Sequence, residues 1–361
     1  MKTSPVAVVA MSGGVDSTVA AAMYVKKGYR VIGLTLQMTD FSAEDISAKS
    51  CCSASDSEKF SKIASILGIE HHFLSLGNDF EKYVLKPSEE AYSSGKTPNP
   101  CILCNKHIKF GKAVQNFMRE HGASVYVTGH YAVIDKSLEG CPRLLRGSNL
   151  QKDQTYFLSA LSREQLLFTE MPLGNIEKSE VRAAADCLGL PNAKQKDSQD
   201  ACFTYSGETF PLTLARYFEK PLKPGFITAK DGKVLGRHPG IQKYTLGQRK
   251  GLGVALGKPG YVLEIDAEND KVVITDNPED LNCSEFYAAE MNWLNFAESG
   301  EKACFVQTRY RQKPQRAIVS RLSDGRAKVM LEKPLAAVTP GQRLAVYSEN
   351  ELLAAGEIIL L

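Results

Sequence analysis

The feature that most constrains the fold is a corner in the first few residues, where an apolar run meets two glycines and passes directly into a helix. Val6-Ala7-Val8-Val9-Ala10-Met11 shows no polar alternation, as expected of a strand buried on both faces of a parallel sheet. Ser12-Gly13-Gly14-Val15-Asp16-Ser17 breaks the run, and Thr18 to Lys27 reads as a helix. Backbone N–H groups and the positive end of a helix dipole then converge on one point, which suits phosphate. Gly-Gly corners also join strands to helices where no ligand binds, but hydroxyls at both ends of the hexapeptide favour the phosphate reading. No Lys follows the glycines, so this is not a Walker A loop, and the spacing is not G-x-G-x-x-G.

The hexapeptide resembles the PP-loop of the ATP pyrophosphatases. That resemblance implies cleavage of ATP to AMP and pyrophosphate, with adenylation of a carbonyl or carboxylate oxygen. At 361 residues the chain exceeds one ordinary core, so two or three domains are expected. A net charge of +3 is too small to mark the whole surface as polyanion-binding, and any nucleic-acid contact must be a local patch. With no 18-residue apolar run and a strand starting just after Met1-Lys2-Thr3, neither a membrane span nor a signal peptide is expected, and the location read is cytoplasmic. Nine cysteines, an odd count, argue against a secreted disulfide framework. Cys51 and Cys52 are adjacent and awkward as a mutual pair, and read as incidental.

Strand-like runs at 5–11, 30–37, 70–76 and 124–129 alternate with helical patterns. Phe60, Ile63, Ala64 and Leu67 recur at helical spacing, with Ser55 and Glu58 as a capping box, and another helix is expected over about 105–120. This rhythm predicts an α/β fold, a doubly wound parallel sheet with ligands at the carboxyl ends of its strands. Beyond about residue 205, short strands and Pro/Gly turns take over, predicting a small β-rich central domain and a C-terminal β-barrel. The expected division is 1–205, 206–280 and 281–361.

Within the first loop, Gly13 and Gly14 let backbone approach a pyrophosphate, Ser12 and Ser17 add hydroxyls, and Asp16 is placed to bind Mg²⁺ or to cap the helix. A second contact is expected at Thr128-Gly129-His130, where another strand ends. In Thr97-Pro98-Asn99-Pro100-Cys101-Ile102-Leu103-Cys104-Asn105 two prolines stiffen the approach, and Cys104 is read at a helix N-terminus, where the dipole favours thiolate. Cys202 follows about a hundred residues later. An adenylating loop with two separated thiols suggests that an oxygen is activated and then replaced by sulfur. Thr308 to Arg316 holds four basic residues, Tyr310 and no acid, and Tyr244 to Gly253 is basic and glycine-rich, both compatible with an RNA backbone.

Ser-Gly-Gly-Val-Asp-Ser, Thr-Pro-Asn-Pro-x-x-x-Cys-Asn, Thr-Gly-His-Tyr, Lys-Asp-Gln-x-Tyr-Phe-Leu, Lys-Asp-Ser-x-x-x-Cys-Phe, Thr-Leu-Gly-Gln-Arg-Lys-Gly-Leu-Gly, Thr-Arg-Tyr-Arg-Gln and Thr-Pro-Gly-Gln occur in that order. The set resembles the tRNA-specific 2-thiouridylase family across essentially the whole chain. By this resemblance ATP is held by Ala10, Met11, Ser12, Gly13, Gly14, Val15, Asp16 and Ser17, with Leu36 and Gly129 at the adenine and ribose. Asn99, Pro100 and Cys101 correspond to target-base contacts, Cys104 to the nucleophile and Cys202 to the persulfide carrier. His130, Lys152, Asp153, Gln154, Arg309, Tyr310 and Gln342 correspond to tRNA contacts. The resemblance further implies ATP and Mg²⁺, a tRNA anticodon stem-loop as substrate, and a sulfur-donor protein, either a carrier or a desulfurase.

One position departs from the commoner family pattern, which has Asp where this chain has Cys101. Two mechanisms then compete. In one, Cys202 carries a persulfide and Cys104 releases it through a disulfide. In the other, Cys101, Cys104 and Cys202 ligate a [4Fe–4S] cluster whose fourth iron holds the sulfide, an arrangement similar to cluster-dependent thiolases. A structural zinc at Cys101 and Cys104 lacks an evident fourth ligand. Other readings of the fold are a PP-loop ligase or amidotransferase, and a non-catalytic RNA-binding iron–sulfur protein.

Overall fold

The computed structural model describes residues 4–38, 57–193, 195, 203–205, 207–255, 257–297 and 300–359. The chain divides into two compact units that do not follow chain order. The first comprises Met1–Val84, Cys101–Gly207 and Asn350–Leu352; the second comprises Leu85–Pro100, Glu208–Glu349 and Leu353–Leu361.

In the first unit the strands are β1 (Val6–Ala10), β2 (Arg30–Gln37), β3 (Glu70–Ser75), β4 (Val125–Val127), β5 (Ala132–Asp135), β6 (Arg143–Arg146) and β7 (Thr169–Glu170). Among the described residues β3-β2-β1-β4-β7 form one parallel sheet, as the alternating pattern predicts. The order reverses between β1 and β4, and in such sheets ligands bind at that reversal, outside the carboxyl ends of the strands. Helix α1 (Val15–Lys26) leaves β1 through the glycine turn, and its small side chains, Ala20 and Ala21 among them, bury it against the sheet. Helix α2 (Ser57–Leu67) buries Phe60, Ile63, Ala64 and Leu67, the four residues expected from its spacing; Ser55 lies outside the described residues.

Two expectations need correction. The helix read over 105–120 starts earlier and is broken. Pro100–Cys104 is a short helix that widens into a π turn at Asn105–Lys109, and Lys112–Glu120 follows as a separate helix. Pro100 takes the first helical position, where its missing N–H is no loss. The break falls at Gly111, which lies so close to the His107 carbonyl that no side chain fits. Cys104 therefore closes a helical turn instead of opening one, and Cys101 stands in the first turn. The second correction is the hairpin β5–β6, which the sequence reading passes over; Glu351 and Leu352 pair antiparallel with β6.

The second unit carries β8 (Gly225–Ala229), β9 (Val234–His238), β10 (Tyr261–Asp266) and β11 (Lys271–Thr275), joined in the order β10-β11-β8-β9 around Ile227, Val262, Val272 and Ile274. It continues with β12 (Asn282–Trp293), β13 (Gly300–Gln307), β14 (Gln315–Arg321), β15 (Ala327–Ala336), β16 (Arg343–Ser348) and β17 (Glu351–Ile359). These run β12-β15-β14-β13-β16-β17, and β17 pairs back onto β12, closing the expected barrel around Phe286, Val306, Val319, Val329 and Val346. Closure removes the exposed edges that an open sheet would present.

The turn after β4 approaches α1 closely. A Cβ on Gly129 would sit 2.8 Å from the Ser17 nitrogen and 2.9 Å from the Asp16 carbonyl carbon, both backbone atoms that cannot swing aside. Gly129→Ala is expected to push the β4 turn off the start of α1, lowering the melting temperature and weakening ATP binding by about ten-fold or more. Calorimetry and nucleotide titration on the same sample check this.

Candidate active site

The phosphate loop is held by bonds that use up its carbonyls. Ser12 N–H donates to Ser17 Oγ at 3.2 Å, and the Ser17 hydroxyl donates to the Gly14 carbonyl at 3.0 Å. Thr18 Oγ1 donates to the same carbonyl at 3.0 Å, while Asn192 Nδ2 donates to the Gly13 carbonyl at 3.0 Å and to Thr18 Oγ1 at 2.9 Å. Carbonyls so occupied no longer repel an anion arriving at the start of α1. Lys59 lies beside Gly13, its Nζ 3.2 Å from where a Cβ on that glycine would stand, and donates to Gln195 Oε1 at 3.0 Å.

Asp16, in the first turn of α1, is the most engaged group of the loop. Lys178 Nζ donates to its two oxygens at 2.7 and 2.8 Å, and the Tyr131 hydroxyl donates to Oδ1 at 2.7 Å. Lys178 opens the helix Lys178–Cys187, and Tyr131 follows the β4 turn. Neither residue is singled out by sequence reading. Tyr131 belongs to the quoted Thr-Gly-His-Tyr motif, whereas Lys178, 162 residues from Asp16, offers no local signal.

Around the loop, Ala10 and Met11 end β1, and the Met11 N–H donates to the Leu34 carbonyl at 2.8 Å. Ala10 stands opposite Leu34, so Leu36 extends past the end of β1 at the ligand edge of the sheet, where it is buried. The Thr35 hydroxyl donates to the Met11 carbonyl at 2.7 Å, which leaves His71 Nε2 to donate to Thr35 Oγ1 at 2.9 Å. Burial first, then the neighbouring His72, pushes the His71 pKa down to about 4. His130 Nδ1 pairs with Thr128 Oγ1 at 3.0 Å, and burial, followed by Lys109, pushes its pKa down to about 3. A neutral imidazole offers a partner a hydrogen bond and no charge.

The Cys104 thiol is buried and donates to Met38 Sδ at 3.9 Å, while Cys101 is half-buried. Asn105, directly after Cys104, donates to the Phe157 carbonyl at 2.9 Å; its own carboxamide oxygen is buried with no partner among the described residues. Cys202, Cys51 and Cys52 lie outside the described residues. Three residues apart on a helical turn, Cys101 and Cys104 share a face. Among the described residues no group of three or more His, Cys, Asp or Glu is placed to hold a metal ion. Those two thiols alone do not make up the ligand set of a [4Fe–4S] cluster.

The Lys152–Gln154 turn is tied to the same region. Gln154 Oε1 accepts from the Tyr131 N–H at 2.9 Å, and the Gln154 N–H donates to the Tyr131 carbonyl at 3.0 Å. Asp153 is buried, paired with Arg146 Nη1 at 2.9 Å and accepting from Thr155 Oγ1 at 2.7 Å and the Gly147 N–H at 3.2 Å. Burial nonetheless lifts its pKa above the ordinary carboxylate value, against those hydrogen bonds and Arg146. Asp153 thus shapes the turn from within, and Lys152 is the more exposed of the two.

In the second unit, Arg309 and Tyr310 lie in the β13–β14 hairpin loop. Arg309 Nη2 points inward, donating to the Ala337 carbonyl and Thr339 Oγ1, both at 2.7 Å, and to the Leu246 carbonyl at 3.1 Å. Arg249, Lys250, Arg311, Lys313 and Arg316 are exposed on this unit and supply a basic surface. Gln342 Nε2 donates to the Thr97 carbonyl at 2.8 Å. Asn99 and Pro100 follow in the chain and are half-buried.

Residues 6–206 match the family described as tRNA methyl transferase HUP domain, 213–276 the tRNA methyl transferase PRC-barrel domain, and 283–358 the aminomethyltransferase beta-barrel domain. A tRNA-specific 2-thiouridylase MnmA of Pelobacter propionicus is 40% identical over 97% of this chain and 96% of its own. One from Acetivibrio thermocellus is 40% identical over 97% and 98%. The chain belongs to the tRNA-specific 2-thiouridylase family. A solved 4-thiouridine synthetase–RNA complex with bound ATP is similar over 60% of this chain and 50% of that one, at 20% identity and a TM-score of 0.38, and adds nothing to the assignment. The 2-thiouridylase relatives match over nearly full length, so the methyl-transfer wording of the domain descriptions does not decide the chemistry. No helix among the described residues is long and apolar enough to cross a membrane.

Two outcomes follow for this member of the 2-thiouridylase family. Asp153→Ala takes the carboxylate from Arg146 Nη1, Thr155 Oγ1 and the Gly147 N–H and is expected to cost about 1–3 kcal/mol in urea unfolding. Both His71 and His130 take up protons less readily folded than unfolded. Stability is therefore expected to be complete above about pH 6.5 and to fall with acidification toward pH 4, where the folded protein resists protons that the unfolded chain accepts. Melting temperatures between pH 7 and 4 measure this, with a shallower fall in His130→Asn.

Proposed function

We propose that the protein is an ATP-dependent tRNA sulfurtransferase that converts the wobble uridine of the lysine, glutamate and glutamine tRNAs to 2-thiouridine. The observation that carries this reading is a phosphate loop, Ser12–Ser17, at the reversal point of the sheet in a member of the 2-thiouridylase family, with the buried thiol Cys104 in the same compact unit. Ala10 to Ser17 hold the ATP phosphates, and Leu36 and Gly129 border the adenine and ribose. Asp16 and the Ser12 and Ser17 hydroxyls are oxygen groups of the kind Mg²⁺ accepts beside phosphate, but Lys178 holds both Asp16 oxygens here, so an ion would have to displace that ammonium. When bound, that ion supplies positive charge to the leaving pyrophosphate.

The uridine O2 attacks the α-phosphorus, and pyrophosphate departs on the loop that bound it. The terminal sulfur of a Cys202 persulfide then attacks C2, the C2–O bond breaks, and AMP leaves. Cys104 Sγ attacks the Cys202 sulfur, forming a Cys104–Cys202 disulfide and releasing the sulfur on C2 as the reduced thione. The two thiols supply the two electrons that this sulfur gains, and an external dithiol resets them. A sulfur-donor protein, carrier or desulfurase, recharges Cys202. Asn99, Pro100 and Cys101 contact the uridine; His130, Lys152, Gln154, Tyr310 and the exposed basic side chains meet the anticodon stem-loop, with Asp153 and Arg309 supporting them from within.

Purified without oxygen and given an anticodon stem-loop and ATP, the protein is expected to release pyrophosphate only with RNA present. Asp16→Ala should lose that release. Cys104→Ser and Cys202→Ser should retain ATP and RNA binding but form no 2-thiouridine. Normal turnover in Cys202→Ser would overturn the relay, and iron bound stoichiometrically with loss of activity on its removal would replace it with the cluster route through Cys101, Cys104 and Cys202.

A further inference from the structure

The segment that leads to Asn99 and Pro100 is gripped from two sides within the second unit. The Thr97 N–H donates to the Pro340 carbonyl at 2.9 Å, and the Thr97 carbonyl accepts from Gln342 Nε2 at 2.8 Å. Both backbone polar groups of one residue are thus held by the single loop 339–342. The Thr97 hydroxyl donates to Thr245 Oγ1 at 3.2 Å, in the basic glycine-rich loop, and Lys96 Nζ pairs with Glu357 at 3.1 Å. Gly341 makes the approach possible. Its φ is +84°, and a Cβ there would stand 3.0 Å from the Thr97 nitrogen and 3.1 Å from its carbonyl carbon.

The gripping loop is itself anchored. The Gly341 N–H donates to the Ile358 carbonyl at 3.0 Å, and the Ile358 N–H donates to the Gln342 carbonyl at 2.8 Å. Thr339 is buried, and its hydroxyl accepts from Arg309 at 2.7 Å and donates to the Ala337 carbonyl at 2.9 Å. From Thr97 onward the chain has little freedom, since Pro98 and Pro100 fix their own φ and restrict the residues before them. Fixing Thr97 therefore fixes Asn99.

We propose that Gln342 and Gly341 are positioning residues: the barrel loop grips Thr97 and thereby sets where Asn99 and Pro100 meet the uridine. This rests on the reading of Asn99 and Pro100 as target-base contacts. The loop Thr-Pro-Gly-Gln then has a task inside the protein, and Arg309 serves it by holding Thr339. The RNA-binding barrel and the base-presenting segment form one body, so an anticodon stem-loop seated on the barrel is already in register with Asn99.

Gln342→Met removes the donor while keeping shape and charge neutrality, and Gly341→Ala forces the loop off Thr97. Both are compared with the unaltered protein for thiolation kinetics, stem-loop affinity, ATP affinity and hydrogen exchange at the Thr97 amide. Misplacing a reacting group by about 1 Å can cost up to about 100-fold. The expected result is therefore a kcat lowered about 10–100-fold, unchanged affinity for stem-loop and ATP, and faster exchange at Thr97. A weaker stem-loop affinity with Thr97 exchange and kcat unchanged would overturn the proposal and make Gln342 a direct RNA contact. Unchanged kinetics in both variants would overturn it outright. Faster Thr97 exchange in a protein that does not thiolate even unaltered would keep the grip but dismiss the functional reading on which its role depends.

Discussion

The nucleotide end of the molecule hangs on one carboxylate. Asp16 sits where the α1 dipole is positive, and it receives an ammonium on both oxygens and a phenol on one. Those contacts draw together three parts of the chain: the phosphate loop, the turn after β4 that leads into Tyr131, and the helix opened by Lys178. Tyr131 extends the connection by a pair of hydrogen bonds to Gln154. The Lys152–Gln154 turn and the phosphate loop are therefore two short steps apart through Tyr131. Half-buried charges interact more strongly than fully exposed ones, which strengthens the Asp16–Lys178 pair at this junction.

On the proposed reading the second unit has a different task, that of presenting a base. Its exposed basic side chains are spread over the central loop and the β13–β14 hairpin, and on the proposed reading they would neutralise phosphates without reading sequence. Thr97, by contrast, is held through its backbone by a barrel loop. Arg309 illustrates how a cation in a basic stretch can serve the fold. Its guanidinium satisfies two carbonyls and a hydroxyl at the joint between the central loop and the barrel. Leu85–Pro100 belongs to the same compact unit as the barrel.

Sequence reading recovered most of the architecture, because its signals are local. The apolar run of β1, the helical spacing of Phe60, Ile63, Ala64 and Leu67, and the short alternating strands of the last eighty or so residues each declare their period within a dozen positions. It misplaced the start of the helix at Cys104, since Pro100 reads equally well as a stiff loop or as a first helical residue.

The sequence alone determined the strand–glycine–helix corner, the α/β order of the first half and the β-rich second half, together with the thiols at 101, 104 and 202. Periodicity and turn chemistry act between neighbours, so one chain suffices to read them. Only the tertiary structure decided that Lys178 and Tyr131 meet Asp16, that Asp153 is buried against Arg146, and that a barrel loop grips Thr97. Those contacts join residues as far as 245 positions apart. No local pattern encodes them, because burial and desolvation, which give a lone Lys or Gln its partner, exist only once the chain has packed.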